Sequence, residues 1–376
     1  MADKINKYIK IGSKLSEQNK SKSKEEKEEI RAALCASDAF TEYCETETWS
    51  TEDHDNLLNI LETRKNTKGY YVDIHGKGIS YNGIRTLKRS KTEMDLSQMH
   101  LNEIEKCRKD YKYFRSYYCF ITTKNGLARP EPRPYQEELE DALLELLDSV
   151  VLYPRQSGKT ISVSTYLLWL ALFHPTAINI GIVANRPKTA REVLDKLKKI
   201  FLELPIWMKK GIEIWNKSEI EFENGTRIMT DSPSSDSFRG YTVNIVFVDE
   251  TAYISKSIWE EFVDSVMPTM NSLSFKQVIL TSTANGMNHF EQIVRQAKLE
   301  DTPEQFVSCS WRDVPHYDKN NNIIPPDEYK KQVIKKYGLK FFNQTEACVG
   351  GSTIINTLEY GNITIEELYE KDIYEM

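Results

Sequence analysis

Cysteine is scarce in this 376-residue sequence and badly spaced for metal or bridge chemistry: six residues, at 35, 44, 107, 119, 309 and 348, form no CxxC pair, and the six histidines are scattered. Neither a zinc site nor a disulfide framework is expected. No apolar run is long enough to span a bilayer. The start has no charged n-region, apolar h-region and cleavage site, so the chain is predicted to be soluble and cytosolic, with no membrane partner. A positive excess is missing as well, since the net charge is −6. Most of that charge lies at the end: residues 348–376 hold Glu359, Glu366, Glu367, Glu370, Asp372 and Glu375 against Lys371 alone, a balance of −5. The rest is close to neutral, which neither demands nor forbids a basic groove.

Two stretches about ninety residues apart carry the chemistry. Tyr153-Pro-Arg-Gln-Ser-Gly-Lys-Thr160 reads as a phosphate loop at the start of a helix. Gly158 lets backbone N–H groups approach an anion, Lys159 adds a point charge, and Thr160 offers a hydroxyl to Mg²⁺. Ile245-Val-Phe-Val-Asp249-Glu250 supplies the acidic counterpart: a buried strand ends in Asp249, suited to the Mg²⁺ shell, followed by Glu250, suited to polarise a water. The pair implies nucleotide hydrolysis. Tyr153 stands where a first glycine is usual, and Arg155 inside the loop is placed to neutralise γ-phosphate charge from within the same chain. The plainer reading of the loop alone is a helix N-terminus with a surface lysine and arginine.

Apolar strands and amphipathic helices alternate after the proline-rich step Arg129-Pro-Glu-Pro-Arg-Pro-Tyr135. Strands are predicted at Val150–Leu152, Ala177–Ala184, Val243–Val248 and Gln277–Thr281, helices at Gln136–Leu147, Thr160–Phe173, Thr189–Leu204 and Ile258–Val266, and a hairpin over Glu219–Met229. That order predicts an α/β fold with a mostly parallel sheet covered by helices on both faces and a site at the strands' carboxyl ends. Before it, Met94–Tyr118 reads as one long helix whose tyrosines either pack in the core or stack bases. Residues 71–79 suggest a hairpin, and the first thirty residues are a charged arm or short helix.

Pro134-Tyr135-Gln136 offers an aromatic face and an amide that would read adenine, or is an ordinary helix start. Thr281-Ser282-Thr283-Ala-Asn285 presents hydroxyls and an amide at the same sheet edge. These either sense the γ-phosphate or form a polar turn that caps the helix at His289.

Taken in order, these pieces resemble the ATPase half of the large terminase subunit, the DNA-packaging motor of tailed bacteriophages. The resemblance also covers Val183-Ala-Asn-Arg186, Glu213-Ile-Trp-Asn-Lys217, Phe238-Arg-Gly240 and the run Thr281 to Phe290, and extends over about residues 100 to 347. It implies a P-loop NTPase of the RecA/ASCE type, with ATP and Mg²⁺ as ligands. Tyr135, Gln136, Arg155, Gln156, Ser157, Gly158, Lys159 and Thr160 would contact the nucleotide, Thr160 and Asp249 the metal. Arg155 and Glu250 would be catalytic, and Thr281, Ser282, Thr283 and Asn285 would form the coupling motif. It further implies double-stranded DNA, a portal protein and a small terminase subunit as partners, in the host cell cytoplasm. A helicase shares these motifs but needs a second RecA-like lobe, for which no room remains after Asn285. A non-catalytic nucleotide-binding scaffold would not need Glu250.

The family's nuclease domain is not found after residue 347. Instead Cys348-Val-Gly-Gly-Ser-Thr-Ile-Ile-Asn-Thr357 and Gly361-Asn-Ile-Thr-Ile-Glu-Glu-Leu-Tyr369 resemble the opening segments of an intein, and this short piece resembles the N-terminal fragment of an atypically split one. The implied organisation is 1–95 as a helical N-terminal region without an assigned role, 96–347 as the ATPase domain and 348–376 as a short β-type intein fragment. Cys348 would attack the Ala347 carbonyl. The remaining splicing groups would come from a complementary C-terminal intein fragment carrying the nuclease, a basic partner for the acidic tail. The plainer reading of Cys348 is a half-buried strand cysteine.

Overall fold

The structure is a computed structural model. It describes residues 54–55, 58, 61, 63, 65–123, 126–299, 303–318, 322–342, 354–357 and 361–364. Cys348, the acidic run after residue 364 and the charged arm at the start lie outside the described residues.

Eight strands form the central sheet: β1 Ser149–Leu152, β2 Asn179–Ala184, β3 Ile212–Trp215, β4 Glu219–Phe222, β5 Arg227–Asp231, β6 Ile245–Asp249, β7 Gln277–Ser282 and β8 Gln305–Ser308, in the spatial order 8-1-7-6-2-5-4-3. From β8 to β5 every neighbouring pair is parallel; only β4 runs against its neighbours. The mostly parallel α/β fold is therefore observed.

Helices cover both faces because alternate residues of each strand point to opposite sides. In β6, Ile245 and Phe247 join the cluster formed with α4 (Lys159–Phe173) and α5 (Pro187–Glu203). Val246 and Val248 join the cluster formed with Trp259 and Phe262 of the helix Lys256–Met270 and Phe290 of the helix His289–Lys298. These four apolar side chains of β6 are fully buried. Burial of such side chains contributes about 1.5–3 kcal/mol each, which fixes the register that brings Asp249 level with Ala184 of β2 and Thr281 of β7.

One expectation is corrected. The long helix over Met94–Tyr118 is two helices, α1 Gln98–Lys109 and α2 Tyr111–Tyr118, split at Asp110. Asp110 is extended there, with φ −125, and its carboxylate accepts the Tyr113 N–H at 2.9 Å as an N-cap. Tyr111, Phe114 and Tyr118 are core residues, and Tyr113 and Tyr118 both donate to Glu103 at 2.7 Å, so the aromatics pack rather than offer free faces to bases. Of the region 1–95, the described residues 54–55 and 58 are helical, and a turn bridged at Val72 and Gly78 and a short strand pair, Ser80–Tyr81 with Ile84–Lys88, follow them. β3 and β8 fall outside the strands that the sequence pattern predicts; β8 makes β1 an interior strand.

Helix α3 (Pro134–Leu144) is anchored to α2 by a buried ion pair between Arg115 and Glu140, which steadies the residues that brace the phosphate loop. Besides the sheet, residues 354–357 and 361–364 form a two-stranded antiparallel pair whose backbone register matches residue 355 with residue 363. No helix of the described residues is long and apolar enough to cross a membrane.

Candidate active site

The turn from β1 into α4 is built around one glycine. Gly158 has φ +88 and is the N-cap of α4, and a Cβ there would lie 2.2 Å from the Gln136 amide nitrogen. Only glycine fits both demands. Gln156, two residues earlier, also takes positive φ, at +61. The result is a tight anion-sized turn over the unsatisfied N–H groups of a helix N-terminus.

Facing it is the end of β6. Thr160, in the first turn of α4, donates to Oδ2 of Asp249 at 3.1 Å; Thr281 of β7 donates to Oδ1 at 2.8 Å. The Glu250 N–H also donates to Oδ1, at 3.0 Å. Lys159 is nearly buried, and its Nζ lies 3.5 Å from Oε1 of Glu250, whose side chain is 26% exposed. Glu250 itself is left-handed, with φ +56. Such a conformation costs a non-glycine residue about 1–3 kcal/mol and persists where neighbours over-determine it.

Two polar atoms here are buried without a hydrogen-bond partner among the described residues: Oε2 of Glu250 and Oγ of Ser157. Unsatisfied groups of this kind mark places where a ligand or water completes the bonding. No cluster of three or more His, Cys, Asp or Glu side chains that could hold a metal occurs among the described residues. A carboxylate beside a hydroxyl nevertheless suits Mg²⁺, which takes one or two protein oxygens and fills its shell with phosphate and water. The Asp249 and Thr160 oxygens fit that habit.

Tyr135 and Gln136 lie beside the turn and bond to its backbone. Tyr135 is 6% exposed and packs edge-on against Tyr153. Its hydroxyl donates to the Ser157 carbonyl at 3.2 Å, and the Gln136 amide donates to the same carbonyl at 2.8 Å while its oxygen accepts the Arg133 N–H at 2.9 Å. In this arrangement the pair braces the phosphate loop. Arg155 is exposed in the turn, in no ion pair among the described residues.

The run Thr281 to Asn285 reaches both Asp249 and the segment after Glu250. Ser282 accepts the Ala252 N–H at 3.1 Å through its hydroxyl, Thr283 and Tyr253 share a hydrogen bond at 3.1 Å, and Asn285 donates to the Ala252 carbonyl at 3.0 Å. The capping alternative is present too, through the next polar residue: Asn288 accepts the Phe290 and Glu291 N–H groups at the start of the helix His289–Lys298. Asn288 and His289, whose ring nitrogen donates to the Thr251 carbonyl at 3.2 Å, are additions to the site residues expected from sequence. Their sequence signal is indistinguishable from an ordinary helix start.

Residues 150–358 match the family described as "Terminase large subunit, T4likevirus-type, N-terminal". The chain belongs to that terminase family. Over 145 residues it is 29% identical to tripartite terminase subunit 3 of equine herpesvirus 1 (strain Ab4p), a match covering 37% of this chain and 18% of that protein. The terminase sequence thus spans under a fifth of its herpesvirus relative's length. Among solved structures it is similar in fold to the HK97 bacteriophage large terminase, with TM-score 0.51 and 15% identity over 67% of this chain and 56% of that one. A further likeness, with TM-score 0.44 and 16% identity over 57% of this chain and 52% of the other, is to the large terminase of a thermophilic bacteriophage in complex with ADP.

Proposed function

We propose that residues 96–347 are the ATP-hydrolysing half of a phage DNA-packaging terminase, acting on double-stranded DNA with a portal protein and a small terminase subunit in the host cytoplasm. One observation carries this reading: Lys159 lies 3.5 Å from Glu250 while the adjacent Thr160 bonds Asp249 at 3.1 Å, so a phosphate-binding cation and a paired acid edge face each other across one turn. Lys159, the loop N–H groups and the Ser157 hydroxyl hold the triphosphate. Asp249 and Thr160 would hold Mg²⁺, which when bound neutralises charge on the phosphate oxygens. Glu250 orients a water and takes its proton as the water oxygen bonds the γ-phosphorus and the bond to the ADP oxygen breaks. Lys159 exchanges the Glu250 carboxylate for phosphate, freeing that base. Arg155, exposed at the turn, neutralises the charge spreading over the γ-phosphoryl oxygens. Phosphate release by the full chain tests this: Glu250→Gln should lower turnover by roughly 100-fold or more, on the scale of lost catalytic groups, and unchanged turnover would remove Glu250 from the mechanism.

Residues 348–376 are read as the N-terminal fragment of a split intein. The Cys348 thiolate bonds the Ala347 carbonyl carbon, the Ala347–Cys348 amide C–N bond breaks, and the freed amine takes a proton, leaving a thioester. Support comes from the sequence resemblance. A complementary fragment supplies the later steps and the nuclease domain. Mixing the two chains should yield a product containing residues 1–347 joined to the nuclease, visible by mass spectrometry; recovery of only the input masses from folded partners would defeat the claim.

A further inference from the structure

A glutamate held at φ +56 needs something to hold it, and the residues that follow supply the means. Thr251–Tyr253 form a single 3₁₀ turn, and its polar groups are engaged from the connection between β7 and the helix His289–Lys298. The Ala252 carbonyl receives two side-chain amides at once, from Asn285 at 3.0 Å and Asn288 at 2.9 Å. Both lone pairs of that oxygen are thereby used. The Ala252 N–H goes to Ser282, and the Thr251 carbonyl accepts His289. Asn288 also donates to the Asn285 carbonyl at 3.1 Å and caps the helix with its own oxygen. This one side chain therefore ties the helix start, the connecting loop and the turn after Glu250 together.

We propose that Asn288 and Asn285 are positioning residues that set the backbone of Glu250 through the Ala252 carbonyl, so that the β7 connection acts on the hydrolytic glutamate through the main chain rather than by touching phosphate. The inference rests on the hydrolysis reading above and adds Asn288 to it. Misplacing a reacting group by about an ångström costs on the order of 100-fold in rate, so a grip on the backbone two residues away is consequential.

The test separates grip from cap. Asn288→Asp keeps an oxygen for the Phe290 and Glu291 N–H groups but has no N–H to give Ala252; Asn285→Asp removes the other donor and leaves the cap intact. In the full chain each should lower kcat for ATP by roughly 10- to 100-fold with KM changed less than about twofold, the pattern of an interaction felt only in the transition state. In a Glu250→Gln background the same substitutions should change residual turnover hardly at all. Unchanged kcat in folded variants, a rise in KM with kcat intact, or an equal loss in the Glu250→Gln background would each overturn the proposal. Should Asn288→Asp fail to fold, Asn285→Asp carries the kinetic test. Hydrogen exchange over residues 249–254 decides independently of turnover. It should quicken by about tenfold in either variant, as expected for loss of roughly 1.4 kcal/mol of local protection, and unaltered exchange overturns the grip. Quickened exchange in a chain whose wild type releases no phosphate would support the grip and sink the hydrolysis reading instead.

Discussion

Thr160 and Thr281 hold opposite oxygens of the same carboxylate. Thr160, on α4, donates to Oδ2 of Asp249, and Thr281, on β7, donates to Oδ1, so the acid is oriented from both sides of the sheet edge. Asp249 is 4% exposed and Thr281 is fully buried, which makes the second bond hard for water to replace. A hydrogen bond to a charged group is worth about 1.5–3 kcal/mol. Thr281→Val keeps the shape and removes the donor. It should raise the Mg²⁺ concentration for half-maximal turnover roughly tenfold, the equivalent of about 1.4 kcal/mol, and lower the urea midpoint. An unchanged Mg²⁺ requirement would mean Thr281 does not orient Asp249.

Glu250 stores strain at the place where chemistry is proposed. Its φ of +56 is the left-handed region, and its carboxylate is engaged chiefly by Lys159. Glu250→Gly removes the Cβ penalty, so the variant should be more stable than wild type by up to about 1 kcal/mol while losing turnover. Paired measurement of thermal midpoint and phosphate release checks this. A less stable Gly variant would show that the Lys159 pairing outweighs the backbone strain.

The core of this fold is legible because its interior strands are continuous apolar runs: Val150-Val151-Leu152 and Ile245 to Val248 have no polar residue to suggest a solvated face. Edges are harder. β8 is Gln305-Phe-Val-Ser, in which only Val307 is buried, and four mixed residues look the same in a strand as in a loop. The helix break at Asp110 escapes the sequence pattern because its cap lies within a continuous run of helix-compatible residues. At the site, Lys159, Thr160, Asp249 and Glu250 are readable from motif spacing, since a phosphate loop and a strand-end acid pair need those types. For Tyr135 and Gln136 the pattern gives the neighbourhood but not the bonds to the Ser157 carbonyl, because composition cannot tell what an amide faces. Asn288 is invisible for the same reason: an N-cap signature hides the second bond its amide makes.

Gly158 offers a direct check on the phosphate loop. A methyl group there would meet the Gln136 amide at 2.2 Å, and Gln136 is held by Arg133 and Ser157. Gly158→Ala should therefore weaken ATP binding strongly and cost about 1–3 kcal/mol, combining positive-φ strain with the clash. Adding Gln136→Ala removes the clash but not the strain, so the double variant should recover part of the stability. Full recovery would mean that φ +88 is not a strained conformation here, and no recovery that Gln136 simply swings away.

Lys209 gives the chain a pH signature unrelated to catalysis. The residue is 3% exposed, and its ammonium donates to the Thr86 carbonyl at 2.9 Å and the Leu202 carbonyl at 2.6 Å. Burial lowers its pKa from 10.5 to about 7, although Glu203 pulls the other way. Between those values the unfolded chain holds a proton that the folded chain does not, so stability rises with pH across this window and its contribution is lost as pH falls toward 7. Lys210, lowered to about 8 by burial, acts in the same direction. In Lys209→Met the residue no longer titrates, and the slope that Lys209 supplies disappears. The stability of wild type relative to Lys209→Met should therefore climb from pH 7 to pH 10 in urea titrations, since other titrating groups are common to both chains. Parallel curves would show that the Lys209 ammonium keeps its ordinary pKa inside the fold, its two carbonyl partners compensating for the water it has lost.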